Sequence, residues 1–358
     1  MEEQKRIRDY GVHIGRLKPG HHNAITDVAG VTVGHVTLSQ EHIQTGVTAI
    51  LPHQGNLFKE KLIASSHVIN GFGKTTGTIQ LQELGVLETP IILTNTLSIG
   101  TAADALIAYT LEHNPEIGRT TGTVNPVVGE CNDMVLNDIR AQAVQKEHVR
   151  QALHQTSSTV REGSVGAGRG MLCYGLKGGI GTASRLMALE HGMYTMGVLV
   201  LTNFGQLGDL TINGQAIGRR LEHALNPSWE KKDKGSVMII VATDLPVSER
   251  QLHRIIKRSV TGLARTGTII SHGSGDVVIG FSTATPIPHE RPTDCLTIQT
   301  VHESDIDIAF RAIGEATEEA VLNSLMTATR IVGRDGHTRP TLKELIEEYQ
   351  LTFTSVSF

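Results

Sequence analysis

The stretch Lys234-Gly235-Ser236-Val237-Met238-Ile239-Ile240-Val241-Ala242-Thr243-Asp244 joins a polar segment to an apolar run. Upstream lies Asn226-Pro227-Ser228-Trp229-Glu230-Lys231-Lys232-Asp233. After Ser236 the residues are apolar and largely β-branched, and Asp244 and Pro246 bound the run. That composition predicts a buried strand. One serine, with glycine before it, therefore stands where a charged loop becomes a core strand. In one reading glycine serves a turn and the serine is a boundary residue. In the other the Gly235–Ser236 bond breaks, and Ser236 becomes a new N-terminal nucleophile on a rigid strand. Such a residue joins a hydroxyl to an α-amine of pKa about 7.7–8.0, near enough to neutrality to act as its base. Glycine helps because it tolerates strain and leaves the peptide carbonyl open to attack.

The remaining sequence bounds the setting. Its 358 residues allow one large domain or two ordinary ones. With 39% hydrophobic but only 4% aromatic residues, the core must be built mainly from Val, Ile, Leu and Ala. A net charge of -4, with both signs mixed along the chain, suggests neither nucleic acid nor an anionic membrane as partner. No apolar run approaches the length of about 20 residues that a membrane helix needs. Met1-Glu2-Glu3-Gln4-Lys5-Arg6 lacks the apolar region of a signal peptide. Cys131, Cys173 and Cys295, odd in number and far apart, fit a reducing cytoplasm better than a disulfide framework. No metal-binding spacing is visible, and no cofactor is expected.

Short strand-like runs bounded by glycine or proline recur, among them 46–52, 90–96 and 197–205. Helical spacing appears at 101–112, 141–155, 248–264 with Ser248 as cap, and 306–325. In the last of these, Glu315, Glu318 and Glu319 are expected on the outer face. The glycine-rich loop Asn70-Gly71-Phe72-Gly73-Lys74-Thr75-Thr76-Gly77 has neither dinucleotide nor P-loop spacing. The pattern predicts stacked sheets covered by helices, in a single domain with its clearest seam at 226–235.

Five polar residues lie at the ends of expected strands: Glu130, Asn203, Ser236, Ser274 and Asp276. Such ends let reacting groups emerge from a rigid scaffold. Ser274 and Asp276, two positions apart, point the same way in an extended segment, so the carboxylate can hold the hydroxyl; a local turn is the alternative use of the pair. Asn203 can donate to a developing oxyanion or cap a strand. Glu130 can bind a cation or lie on a solvated loop.

In combination the chain resembles the L-aminopeptidase/D-amidase-esterases and β-peptidyl aminopeptidases, self-processing hydrolases with an N-terminal serine. The resemblance rests on an ordered series. Asn23-Ala24-Ile25-Thr26-Asp27-Val28, Asn70-Gly71, Pro126-Val127-Val128-Gly129-Glu130 and Leu136-Asn137-Asp138 come first. Asn203-Phe204-Gly205, Gly235-Ser236, Leu263-Ala264-Arg265-Thr266-Gly267, Gly273-Ser274-Gly275-Asp276 and Gly333-Arg334-Asp335-Gly336 follow. It implies a four-layer αββα sandwich and a homotetramer of protomers cut into 1–235 and 236–358. It implies Ser236 as nucleophile, Ser274 and Asp276 as its activating neighbours, Asn203 as an oxyanion contact, and Glu130 as the group that receives the substrate's ammonium. The substrates implied are short peptides, amides or esters with a free amine. Two departures stand out. Relatives often carry a tyrosine beside Leu-Asn-Asp, where this chain has Met134-Val135, so another donor has to complete the oxyanion site or leave it weaker. Many also have Glu where this chain has Lys74, an ammonium that would repel the substrate's if it faced the pocket. An acyltransferase resembling ornithine acetyltransferase, which relies on threonine, and an uncut ligand-binding protein are the rival readings.

Overall fold

The computed structural model describes residues 4–226 and 235–353. Most of the expected seam, 227–234, lies outside them. In chain order the strands are β1 (Thr32–Gln40), β2 (Ile43–Leu51), β3 (Glu60–Gly71), β4 (Val86–Leu87), β5 (Ile91–Asn95) and β6 (Val127–Cys131), then β7 (Leu172–Cys173), β8 (Leu176–Lys177), β9 (Ile180–Leu189), β10 (Gly192–Asn203), β11 (Ser236–Thr243) and β12 (Gly275–Pro288). The helices are α1 (Thr78–Leu84), α2 (Ile99–His113), α3 (Lys146–His154), α4 (Ile217–Leu225), α5 (Glu249–Ile256), α6 (Ser259–Arg265), α7 (Asp307–Met326) and α8 (Leu342–Glu348).

One sheet has the order β1-β2-β5-β6 and the other β4-β3-β12-β11-β10-β9, with β7 and β8 as a separate hairpin. Three packed layers of side chains explain the stacking. Ile50, Leu93 and Val127 of the smaller sheet meet Leu199, Met238, Ile240 and Ile279 of the larger one. The smaller sheet's outer face, with Val47, Ile92 and Val128, is covered by Leu106 of α2 and Val149 and Leu153 of α3. The larger sheet's outer face, with Val198, Val200, Ile239 and Val241, is covered by Leu263 of α6 and Ile313, Ala316 and Ala320 of α7. These are the four layers, helix–sheet–sheet–helix, that the resemblance implies. β11 is buried along its whole length because its alternate residues enter different cores.

Three helical expectations change. The stretch expected at 141–155 is helical only over α3, because Gln142 takes a left-handed backbone with φ 45°. The segment 248–264 is two helices, α5 and α6, because the chain turns at Lys257 and Arg258. Its start is as expected: Ser248 accepts the Gln251 N–H at 3.2 Å, and Gln251 returns a bond to the Ser248 N–H at 3.1 Å. The glutamates of α7 are not outside: Glu315, Glu318 and Glu319 are 2%, 8% and 0% exposed. Arg185, from β9, is fully buried and bonds both Glu315 and Glu319, at 3.3 and 2.6 Å.

Candidate active site

Strand register assembles the site at one end of the larger sheet. β10 and β11 run antiparallel with Asn203 opposite Ser236, while β11 and β12 run parallel with Ser236 opposite Gly275. Ser236 is thus flanked by Asn203 on one side and by Ser274-Gly275-Asp276 on the other. Ser274 Oγ donates to Asp276 Oδ1 at 2.6 Å, and both residues are buried. The expected pairing is a direct hydrogen bond. The turn before it is held by β3: Asn70 Nδ2 donates to the carbonyls of Ser271 and His272 at 3.2 and 3.1 Å and to that of Ser274. The His272 side chain, the competing base by sequence proximity, belongs to an exposed residue.

Gly235 has no room for a side chain, since a Cβ would lie 2.2 Å from the Asn203 carbonyl oxygen and 2.4 Å from Phe204 Cα. Its own carbonyl accepts the Gly275 N–H at 3.2 Å. Gly275 is equally confined, with a would-be Cβ 2.8 Å from Gly73 Cα and from the Phe72 oxygen. The Asn203 amide is held by its oxygen, which accepts the Leu172 N–H at 3.1 Å, and by Nδ2, which donates to the Asn132 carbonyl at 3.0 Å. Nδ2 carries two hydrogens, so a second donation remains possible.

The smaller sheet supplies the acid. Glu130, on β6, is 3% exposed, so it is no solvated loop residue. Lys74 N–H donates to its Oε1 at 2.8 Å, and Thr96 Oγ1 donates to its Oε2. Both donors are neutral. The Lys74 ammonium lies over the Phe72 ring, 4.6 Å from its centroid, so the side chain whose direction the sequence left open is engaged there. Gly73 bridges the sheets: a Cβ there would be 3.5 Å from both Glu130 Oε1 and Gly275 Cα. Beside Glu130, the buried Cys131 thiol touches the Ser236 side chain. Burial pushes that thiol well up, and the charges of Glu130 and Asp276 add to it. Met134, at the departure from the tyrosine pattern, is half-exposed and has no hydroxyl to offer.

Residue-by-residue reading missed Thr96, Cys131 and the main-chain N–H of Gly275. Thr96 and Cys131 carried the same signal as Glu130, a polar group at a strand end. Nothing in the sequence marked the Gly275 N–H, because every residue but proline has one.

The serine at the head of a buried strand, in a two-sheet sandwich flanked by helices, is set in a variant of the N-terminal-nucleophile hydrolase fold, and its family and solved neighbours make the chain a serine aminopeptidase. The chain belongs to peptidase family S58, whose model matches residues 23–339. It is 36% identical to the β-peptidyl aminopeptidase BapA of Sphingosinicella microcystinivorans, over 94% of this chain and 89% of that protein. The PH0078 protein from Pyrococcus horikoshii OT3 superposes with a TM-score of 0.91 at 48% identity, over 97% of this chain and 99% of the other. The L-aminopeptidase D-Ala-esterase/amidase of Ochrobactrum anthropi, described as a prototype of the serine aminopeptidases, superposes with a TM-score of 0.87 at 33% identity, over 97% and 99%. No helix among the described residues is long and apolar enough to cross a membrane.

Proposed function

We propose that the chain cuts itself between Gly235 and Ser236, and that the freed Ser236 hydrolyses short peptides, amides or esters that carry a free amine. The observation that carries this is the Gly235 carbonyl. It sits at the head of β11, hydrogen-bonded to the Gly275 N–H, beside the Asn203 amide. Attack by Ser236 Oγ on that carbonyl would place the oxyanion on a donor already in position, and such a donor is worth about 3 kcal/mol. The same N–H can stand in for the missing tyrosine. In turnover, Ser236 Oγ attacks the substrate carbonyl and its proton passes to the α-amine, which Ser274 orients and Asp276 supports through Ser274. The amine leaving group takes that proton, and water releases the acyl group from the ester. Glu130, whose donors among the described residues are the Lys74 N–H and the Thr96 hydroxyl, receives the substrate's ammonium. The names of the relatives support both β-aminoacyl and α-aminoacyl substrates, and a panel of L-, D- and β-aminoacyl p-nitroanilides separates them.

A denaturing gel with mass spectrometry tests the cut. The wild type should give fragments 1–235 and 236–358, while Ser236→Ala stays one chain and is inactive. A wild type that is active and wholly intact would overturn the mechanism. A homotetramer of cut protomers and a cytoplasmic location belong to the same reading; light scattering and cell fractionation check them.

A further inference from the structure

Lys177, at the end of β8, is fully buried. Its Nζ donates to three main-chain carbonyls, those of Gly168 at 3.0 Å, Met171 at 2.8 Å and Gly178 at 2.6 Å. An ammonium has three hydrogens, and here each has an acceptor. Carbonyls converging on one point charge are how proteins hold a dehydrated monovalent cation; in this cage the cation is part of the chain. Burial pulls the ammonium's pKa well down, Arg169 adds to this, and Cys173 and Asp133 oppose it. A neutral amine would have two hydrogens for three carbonyls, so losing the proton would leave one acceptor unmet.

The hairpin that the cage closes is what the candidate site leans on. Leu172 N–H donates to Asn203 Oδ1 at 3.1 Å, and Tyr174 N–H donates to the Phe204 carbonyl at 2.7 Å. Phe204 is the backbone that Gly235 packs against. The oxygen and nitrogen of an amide side chain are nearly equal in shape, so its orientation is decided by partners. The Leu172 N–H admits only the oxygen on its side. A flipped Asn203 would turn an oxygen toward a developing oxyanion.

We propose that Lys177 is a positioning residue for the reaction at Ser236: its ammonium, in the place of a bound cation, locks the β7–β8 hairpin so that the Leu172 N–H fixes the Asn203 amide with Nδ2 available to the reacting carbonyl. This rests on the reading of Ser236 as nucleophile and Asn203 as oxyanion donor.

The experiment is a double-mutant cycle on the full chain. Lys177→Met, Lys177→Gln, Asn203→Ala and each Lys177 variant combined with Asn203→Ala are compared for self-cleavage, kcat, KM and Tm. Asn203→Ala is expected to lower kcat by about 10²–10³-fold. Lys177→Met is expected to lower kcat by about 10–10²-fold with KM within about threefold, and to add less than about twofold in the Asn203→Ala background. Lys177→Gln, which keeps two amide hydrogens, should fall between Lys177→Met and wild type. Equal losses of kcat in both backgrounds would overturn the proposal, as would a lowered Tm with unchanged turnover per folded enzyme. Failure of both Lys177 variants to fold would also overturn it, since the ammonium would then hold the fold and not the amide. Ser236→Ala is assayed alongside. Activity in that variant would remove the underlying reading whatever the cycle shows, and inactivity leaves the cycle as a test of Lys177 alone.

Discussion

Glu130 and Glu319 are both buried carboxylates, but the chain satisfies them in different ways. Glu319 accepts from Arg8 at 2.5 and 2.7 Å, from Arg185 at 2.6 Å and from Asn23 at 2.5 Å. Burial pushes its carboxyl up, but the two guanidiniums outweigh burial and hold it below the usual range. Glu130 is held by a main-chain N–H and a hydroxyl. A buried charge wants an opposite charge. At Glu319 the chain provides it, and the result ties the N-terminal segment, β9 and α7 together. At Glu130 the donors are neutral, which is the physical basis of the proposal that it receives the substrate's ammonium.

The sharpest way to break this contrast is at the serine end. Ser274→Ala should lower turnover by about 10²–10⁴-fold, the range of a lost acid–base contribution, while His272→Ala should stay within about threefold. Rates and melting temperatures of both variants decide it, and a collapse confined to His272→Ala would make the imidazole the base.

Removing the matched charge comes next. Arg185→Met leaves Glu315 and Glu319 buried without their shared partner and should cost about 3–5 kcal/mol of stability, with turnover per folded molecule retained. Denaturant titration measures this; a loss below about 1 kcal/mol would mean that the cluster does not hold the fold.

Glu130→Gln should do the reverse. KM for free-amine substrates is expected to rise about 10–10²-fold, with little change in Tm or self-cleavage, which presents no such amine. Equal loss of cleavage and turnover would return Glu130 to a structural role. N-acetylated substrates should already be poor for the wild type.

The last effect is on pH. Burial raises the Asp133 carboxyl to about 7 from 3.8, and burial likewise raises Glu162 to about 7 from 4.5. The folded chain then binds more protons than the unfolded one between those values, so these groups make stability fall as pH rises from about 4 to about 7. Asp133→Asn should flatten part of that slope in thermal melts, leaving the Glu162 share; an unchanged slope would exclude Asp133 as its source.

The candidate site was legible where its signal was local. An apolar run after Gly235-Ser236 announced β11, and polar residues at strand ends announced Glu130, Asn203, Ser274 and Asp276. The outer face given to Glu315, Glu318 and Glu319 failed because helical periodicity reports only which residues share a side; Glu315 and Glu319 meet Arg185 and the N-terminal segment, and Glu318 meets Arg265 of α6. The unbroken helix at 248–264 failed for a related reason: apolar spacing continued across Lys257 and Arg258 although the backbone did not.

By itself the sequence determined strands such as β2, β5, β10 and β11 and the residue types available for chemistry, because hydrophobic periodicity and turn residues act over a few positions; β9, which carries Arg185, was not among them. The tertiary structure decided which of those residues meet. Register alone set Asn203 and Gly275 beside Ser236, and sheet-on-sheet packing brought Glu130 to them from a different sheet. Lys177 found its three carbonyls only once the hairpin had closed. Contacts such as Asn203–Ser236 join residues far apart in the chain, and a sequence records the groups that make them without recording their distance.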